Sequence, residues 1–290
     1  MCSVVPSQVH EVLKNVVKGD IENFEVVIHD ANKKGDGFLG DMVFITLKNK
    51  QSEEVFDLVV KQAFTKQTVR DTNPIRQVFM NEIYFYTKVW TRLNKFQERI
   101  PVQFQFHKLP KYFTSISEEV SEKLVLENLK LQKFEVHNKK IPLGKQYYEL
   151  IFREYGKFHA LSFAYKSFYP EEYVNLAKGL LDIYLDFINR DGFSAAIKSV
   201  NDTVMDFLQP GLDDAVIEKF RPYIENYVEL FKNSIDCNAK YSVITHGDCW
   251  SNNMMFKYSV SKTVILKFSI SNISFFKFPL RIDTIMYYMR

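Results

Sequence analysis

One short segment of the sequence carries side chains of the types and spacing that catalysis needs. In VITHGDCWSNNMMFK, residues 243–257, an apolar run ends at His246, Gly247 and Asp248, and Asn253 follows the aspartate by five residues. A second apolar run begins at once, so the pattern predicts a strand, a tight loop and another strand. The side chains of Asp248 and Asn253 are of the types that phosphoryl transfer uses. Asp248 would accept the proton of an attacking hydroxyl, and Asn253 would help to hold magnesium on the phosphates. The alternative is an ordinary turn whose buried aspartate accepts backbone N–H groups.

The segment HGDCWSNN resembles the HGDxWxxN loop of the ecdysteroid kinase-like (CHK kinase-like) family, which comprises small-molecule kinases related to choline kinase and aminoglycoside phosphotransferases. The resemblance implies an α+β fold like that of protein kinases, with two lobes. Residues 1–130 would form a β-rich nucleotide-binding lobe that includes the hinge strand, and residues 131–290 a mainly helical lobe. It also implies ATP and Mg²⁺ as cofactors, Asp248 as the catalytic base and Asn253 as a metal ligand.

Composition and charge exclude several other classes of protein. The chain has 290 residues, 46% of them hydrophobic, and a net charge of +3 without a long basic block, so we expect no nucleic-acid partner. No apolar run reaches the roughly 18 residues of a membrane span, and the first residues do not resemble a signal peptide. The three cysteines (Cys2, Cys237 and Cys249) share no metal-ligand spacing, which favours a reduced, cytoplasmic setting. The sequence does not indicate protein partners.

Three glycines lie between two predicted strands. Gly35, Gly37 and Gly40 match G-x-G-x-x-G, between FEVVIH and the β-type run MVFITLK. A dinucleotide-binding loop would have to open a helix, so this context argues against a Rossmann oxidoreductase. It suits a hairpin laid over phosphates, where glycine lets backbone N–H groups approach closely. A plain hairpin turn is the alternative.

A lysine and a glutamate further along are predicted to pair. Lys61 ends a predicted strand, FDLVV, and would be either a solvated charge or the lysine that grips the nucleotide phosphates. Glu82 lies in the apolar stripe of a helix predicted over residues 77–93, where an unpaired charge is costly. Pairing Lys61 with Glu82 explains both positions, and FMNEIYFYTKVW is similar to the corresponding helix of the family.

The segment after this helix leads to the predicted hinge. VQFQFHKL alternates like a strand, and residues 110–122 read as a hairpin or loop. LVLENL, residues 124–129, is similar to the family's hinge strand, which implies that backbone groups around Glu127 and Leu129 meet the adenine. A plain core strand is the alternative. Amphipathic helices follow; the lone His159 in one of them is predicted to be structural, because no ligand partner stands at helical spacing.

The resemblance ends abruptly after the strand Val264–Leu266. The family places a magnesium-binding aspartate there, at the start of an Asp-Phe-Gln motif, whereas this sequence has Lys267, Phe268 and Ser269. A lysine should weaken magnesium binding, because oxygen anions hold the ion. Three possibilities stay open: a degenerate kinase, an incomplete gene product with a truncated C-terminal lobe, or another carboxylate such as Asp283 in the missing role.

The resemblance implies transfer of phosphate from ATP to a hydroxyl of an ecdysteroid, a steroid-like alcohol or a xenobiotic alcohol. In that reaction Lys61, positioned by Glu82, would hold the phosphates under the glycine loop. The alternative is a catalytically dead kinase-fold module that binds a small ligand or a partner.

Overall fold

An antiparallel sheet of five strands forms the N-terminal part of the computed structural model, which describes residues 7–17, 19–31, 39–181, 183, 192–234, 242–249, 251–258, 264–268 and 277–279. In spatial order the strands are β1 (Phe24–Ala31), β2 (Gly40–Asn49), β3 (Val55–Ala63), β5 (Lys123–Glu127) and β4 (Tyr112–Ile116). Their Val-, Ile- and Phe-rich sequences suit a pleated surface with one buried face. All neighbouring pairs in this sheet are antiparallel.

Helix α1 (Ser7–Val17) covers one face of this sheet. Its apolar positions recur at helical spacing, and Val9, Val12 and Leu13 are fully buried. They pack in one cluster with strand residues that include Ile45 and Leu58. This cluster is the core that fixes β2 and β3 in place.

A nearly continuous helical stretch lies between β3 and β4. The short helix α2 (Gln67–Thr72) is followed by α3 (Ile75–Tyr84), a π-helix (Phe85–Trp90) and α4 (Thr91–Gln97). The hydroxyl of Thr91 donates to the Tyr86 carbonyl, five residues earlier, at 3.1 Å. A helix in this stretch was predicted from the sequence, but the π segment was not, because the side-chain pattern does not report a widened turn.

The predicted strand VQFQFHKL is wrong. The structure has a 3₁₀ turn at Val102–Phe104 and an irregular segment after it. The side chain of Gln97 bonds both backbone groups of Phe106, with N···O distances of 2.9 and 3.0 Å. These are the groups that a neighbouring strand would use, so a side chain replaces the strand partner. The next segment, predicted as a hairpin or loop, contains β4, which pairs with β5 in an antiparallel hairpin.

The rest of the chain is mainly helical. Strand β6 (Glu135–Val136) precedes α5 (Lys145–Phe168) and α6 (Pro170–Lys178), and it later pairs with the hairpin of β8 (Met254–Tyr258) and β9 (Val264–Phe268). The α+β class, with a β-rich N-terminal sheet followed by helices, is thereby confirmed.

The chain divides into two compact units. One comprises Met1–Leu181 with His246–Phe275, and the other Asp182–Thr245 with Phe276–Arg290. The described elements of the second unit are α7 (Phe193–Phe207), α8 (Asp214–Ser234) and the strands β7 (Ser242–Ile244) and β10 (Lys277–Pro279). Helix α8 contains Pro222 and leaves helical geometry at Asn226. The boundary predicted near residue 130 stays a prediction.

Within the described residues, no helix combines the length and the apolar character needed to cross a membrane.

Candidate functional site

Lys61 and Glu82 form a buried ion pair. Lys61 lies on β3 opposite Met42 and Leu124, and its ammonium is 2.5 Å from Glu82 Oε1. Lys61 is 4% exposed and Glu82 is fully buried, so the reading of Lys61 as a solvated charge is wrong. Two charges that leave water are tolerated when each has an opposite charge in hydrogen-bonding contact.

A cavity of about 600 Å³ opens beside this pair. The sheet contributes apolar side chains and Lys61, and the segments around residues 126–139 and 252–255 contribute the remainder. The lining residues that bear on chemistry are Lys61, Glu127, Asn128, Leu129, Lys130, Glu135, Lys139 and Asn252. A cavity of this size is typical of a small-molecule or cofactor site.

Of the three glycines predicted to cover the phosphates, the structure describes only Gly40. Gly35 and Gly37 lie outside the described residues. Gly40 begins β2, where a Cβ would collide with the Gln62 carbonyl oxygen and lie 3.1 Å from the Phe79 ring. Gly40 is therefore required for close packing between β2 and its surroundings. Its role with nucleotide stays a prediction.

Glu127 and Leu129 both line the cavity at the end of β5. The Glu127 carboxylate accepts hydrogen bonds from Gln132 Nε2 at 2.6 Å, the Lys111 backbone N–H at 3.2 Å and Lys267 Nζ at 3.0 Å. Burial alone would raise the pKa of Glu127, but these hydrogen bonds and the Lys267 charge hold it below its ordinary value. Glu127 is therefore a fixed carboxylate in the cavity wall.

The Asp248 loop is closed by its own asparagine. Gly247 has φ +79°, a conformation that glycine adopts without strain. Asn253, which is fully buried, donates its Nδ2 to the Asp248 carboxylate at 2.8 Å and to the Asp248 carbonyl at 3.0 Å. The pair predicted from the sequence is therefore in direct contact.

Two histidines lie behind this loop. The ring of Tyr155 is 6.0 Å from His159 and 6.2 Å from His246. Burial lowers the pKa of His159 to about 4 and that of His246 to about 3, so both rings are neutral at pH 7. His246 Nδ1 accepts the Asp248 backbone N–H at 3.3 Å, which fixes the start of the loop. The His159 side chain is only partly buried, and its structural role stays a prediction.

The sequence matches the model of a known protein family. The family model for the ecdysteroid kinase-like family matches residues 34–274, which include the Lys61–Glu82 pair, the Asp248 loop and Lys267. The chain belongs to the ecdysteroid kinase-like family. No curated protein matches the sequence. A solved structure, the GDP and kanamycin complex of APH(2")-IIia, is similar at 11% identity with a TM-score of 0.41, over 90% of this chain and 71% of that chain.

Lys267 is where this member of the ecdysteroid kinase-like family departs from the expected motif. Its side chain reaches from β9 to Glu127. At the position where the resemblance predicts a metal-binding carboxylate, the sequence therefore has a cation that pairs with the cavity wall. The only carboxylate side chain after Asn253 in the sequence is Asp283, which lies outside the described residues.

The described residues do not by themselves form a complete magnesium site. No group of three or more His, Cys, Asp or Glu side chains that could hold a metal ion occurs among the described residues. Asn253 uses its Nδ2 on Asp248, so its amide oxygen is the atom that it could offer to a cation, and Lys267 opposes one. Mg²⁺ needs several oxygen ligands, with carboxylates among them.

The structure brings some predicted residues together and leaves others apart. Lys61 contacts Glu82, Asp248 contacts Asn253, and Lys61, Glu127 and Leu129 share the cavity. Asp248 and Asn253 are not among the residues that line it.

Asn252, which was not predicted from the sequence, does line the cavity. Its amide oxygen is buried with no hydrogen-bond partner in the described part of the chain. In the sequence, the feature that could have pointed to Asn252 is its position directly before Asn253.

Proposed function

We propose that this protein binds ATP in the 600 Å³ cavity and transfers its γ-phosphoryl group to a hydroxyl of a small molecule in the cytoplasm. The acceptor class is an ecdysteroid, a steroid-like alcohol or a xenobiotic alcohol, as its family membership suggests. Turnover is slow, because Lys267 stands where a metal-binding carboxylate is needed. The observation that carries the proposal is the Lys61–Glu82 pair in a cavity that Asn252, from the Asp248 loop, also lines.

The base of the nucleotide would bind at the end of β5. The backbone N–H groups of Glu127 and Asn128 are already donated to Lys111 and Asp57, whereas the Leu129 N–H has no acceptor in the described part of the chain. An adenine edge offers acceptor nitrogens to such an amide. Apolar surface for the faces of the ring comes from Met42, Phe44 and Val59.

The phosphates would bind at the Lys61 end of the cavity. Glu82 holds the ammonium of Lys61 in one position, so little side-chain entropy is lost when an anion binds. The predicted loop from Gly35 to Gly40 would cover the phosphates with backbone N–H groups.

Asp248 would act on the acceptor. Its carboxylate takes the proton of the attacking hydroxyl, the hydroxyl oxygen forms a bond to the γ-phosphorus, and the bond between that phosphorus and the β–γ bridging oxygen breaks, releasing ADP. The hydrogen bond from Asn253 holds the carboxylate in a fixed orientation. Asn253 is the residue proposed to contact magnesium, but no step of this reaction is assigned to the ion, because the described residues do not complete a site for it.

A second candidate function is ligand binding without catalysis. The specific observation that favours it is the Lys267–Glu127 ion pair, which fills the position of the missing carboxylate with an opposite charge. Such a protein would bind nucleotide or a small alcohol and release it unchanged.

Calorimetric titration with ATP tests the binding step. We expect ATP to bind, with an affinity that Mg²⁺ changes by less than about threefold, because the metal ligands are incomplete. Lys61→Met should weaken binding about tenfold or more, since it removes a charged hydrogen bond to phosphate. The exposed Lys66→Met is the matched control and should leave the affinity unchanged. Because Lys61→Met strands a buried glutamate, Glu82→Gln provides a second variant with the same expected direction.

A magnesium-dependent gain of more than about tenfold would contradict the incomplete metal site, and no ATP binding at all would contradict the proposal.

Product analysis tests the transfer step. Protein, ATP and a panel of ecdysteroids and other steroid alcohols are incubated, and mass spectrometry detects phosphate esters. We expect slow ester formation that Asp248→Asn abolishes while ATP binding persists. Equal product from Asp248→Asn would remove that residue from the reaction. ATP binding without any ester would favour the second candidate.

A further inference from the structure

A second cavity, of about 670 Å³, adjoins the nucleotide cavity on the other side of Glu127. It is built on the π-helix Phe85–Trp90 and the segment from His107 to Tyr112. Glu127 and Pro110 line both cavities, so one wall separates them. Lys267 lines this second cavity, and is not among the residues that line the first.

Aromatic rings form one side of the second cavity. Tyr86, Trp90 and Tyr112 all line it. The rings of Tyr86 and Tyr112 are nearly parallel, at 14°, with centroids 5.5 Å apart. Trp90, the last residue of the π-helix, lines the cavity, whereas the preceding residue, Val89, is fully buried. Flat walls of this kind select planar, apolar ligand bodies.

The hydroxyl of Tyr86 is buried with no hydrogen-bond partner in the described residues. Tyr86 is 2% exposed, and an unsatisfied polar group at such a position usually has a functional reason. Burial, with the nearby charges of Glu82 and Glu127, raises the pKa of Tyr86 well above its ordinary value. The hydroxyl therefore keeps its proton and can serve as a donor to an oxygen acceptor.

The charged side chains around this cavity favour an anion. Three ammonium groups line it, against two carboxylates: Lys95, Lys111 and Lys267 against Glu98 and Glu127. Glu127 is already neutralised by Lys267. Lys95 has no carboxylate within ion-pair distance among the described residues, so a positive charge is left at the rim.

We propose that the second cavity is a binding site for a small aromatic anion, held against the wall formed by Tyr86, Trp90 and Tyr112 with its acidic oxygens at Lys95 and the Tyr86 hydroxyl. The site is distinct from the nucleotide cavity and does not depend on nucleotide binding. An aromatic carboxylate and an aromatic phosphate share this chemistry.

The chain contains two tryptophans, Trp90 and Trp250, and this makes a site-specific test simple. Sodium benzoate is titrated into the ¹⁵N-labelled full chain while the two indole N–H signals are followed by NMR; Trp90→Phe assigns them. We expect a saturable shift of the Trp90 signal alone. Cyclohexanecarboxylate, which has the charge without the flat ring, and benzyl alcohol, which has the ring without the charge, should bind at least about fivefold more weakly.

No shift of Trp90, a shift confined to Trp250, or equal binding of the two control ligands would overturn the proposal.

A substitution tests the Tyr86 hydroxyl, and a competition experiment tests the independence of the two cavities. Tyr86→Phe removes only the hydroxyl and should weaken benzoate binding about tenfold. Tyr147→Phe, whose hydroxyl is 3.2 Å from that of Tyr258, is the matched control and should bind as the wild type does. Phenyl phosphate should behave like benzoate, and saturating ATP should not displace it. Unchanged binding in Tyr86→Phe, or displacement of phenyl phosphate by ATP, would contradict the assignment.

Discussion

Two lysine–glutamate pairs border the nucleotide cavity, and they differ in how far they are removed from water. The ammonium of Lys61 is 2.5 Å from Glu82, with side chains 5% and 0% exposed. That of Lys267 is 3.0 Å from Glu127, with side chains 20% and 23% exposed. A buried charge depends on its partner, whereas a partly hydrated one can exchange its partner for water. The first pair is therefore a fixed part of the site, and the second is an adjustable contact in the wall between two cavities.

The largest expected difference between the pairs is in stability. Glu82→Ala leaves the Lys61 ammonium buried without a counter-charge and should cost about 3–5 kcal/mol in the free energy of unfolding. Urea denaturation at pH 7 measures this. The double variant Lys61→Met/Glu82→Leu replaces both charges with apolar groups and should recover most of the loss.

The exposed pair Lys145–Glu149, 3.7 Å apart, supplies the matched control, because Glu149→Ala should leave stability close to that of the wild type. A cost for Glu82→Ala no larger than that for Glu149→Ala would mean that the burial of the first pair has no energetic consequence.

The difference between the pairs also explains what the sequence could predict. Lys61 is a charge at the end of an apolar strand, and Glu82 is a charge in the apolar stripe of a helix. Each is unexpected in its own segment, and pairing them with each other explains both. Glu127 and Lys267 break no comparable pattern, and 140 residues separate them. Their contact depends on how β5 and β9 approach each other, which local periodicity does not encode.

The same reasoning applies to the fold. Strands β1, β2, β3 and β5 and helix α1 follow from the apolar patterns of single segments, whereas β4 was not specified by its own. The predicted strand from residue 102 fails because the Gln97 side chain, outside that segment, bonds both backbone groups of Phe106. Asn252 was missed because two adjacent asparagines are equivalent in a motif until the loop determines which of them faces the cavity.

His159 and His246 should make the stability of the protein depend on pH in the acid range, where the effects of the two ion pairs are also measured. Burial lowers the pKa of His159 to about 4 and of His246 to about 3, whereas an unfolded histidine titrates near 6.5. Between these values the unfolded chain binds more protons, so stability falls as the pH falls below about 6.5. At pH 4.5, two units below the unfolded value, each histidine should lower the free energy of unfolding by up to about 3 kcal/mol.

Unfolding free energies measured between about pH 7.5 and 4.5 test this expectation. His159→Phe should reduce the slope, and the exposed His107→Gln should leave it as in the wild type. An unchanged slope in His159→Phe would mean that the ring of His159 is not buried in its neutral form.

The smallest expected effect belongs to the second pair. Lys267→Met should cost less than about 1 kcal/mol at pH 7, because both partners keep contact with water. Burial would raise the pKa of Glu127, but hydrogen bonds, that of Lys267 first, hold it below the ordinary value. The pair therefore stabilises the fold above about pH 4.5 and loses this effect as the pH falls through the lowered pKa. The difference between Lys267→Met and the wild type should disappear there.

Lys257 supplies the control for this effect, since its ammonium lies 5.7 Å from the Phe134 ring centroid and that of Lys267 lies 5.6 Å from the same ring. Lys267 also donates to Glu127, whereas Lys257 has no ion pair among the described residues. Lys257→Met should therefore reproduce any loss of the ring contact without changing the dependence on pH in the acid range. If the two variants lose equal stability at every pH, the contact of Lys267 with Phe134 accounts for its contribution to stability. The ion pair with Glu127 would then contribute nothing.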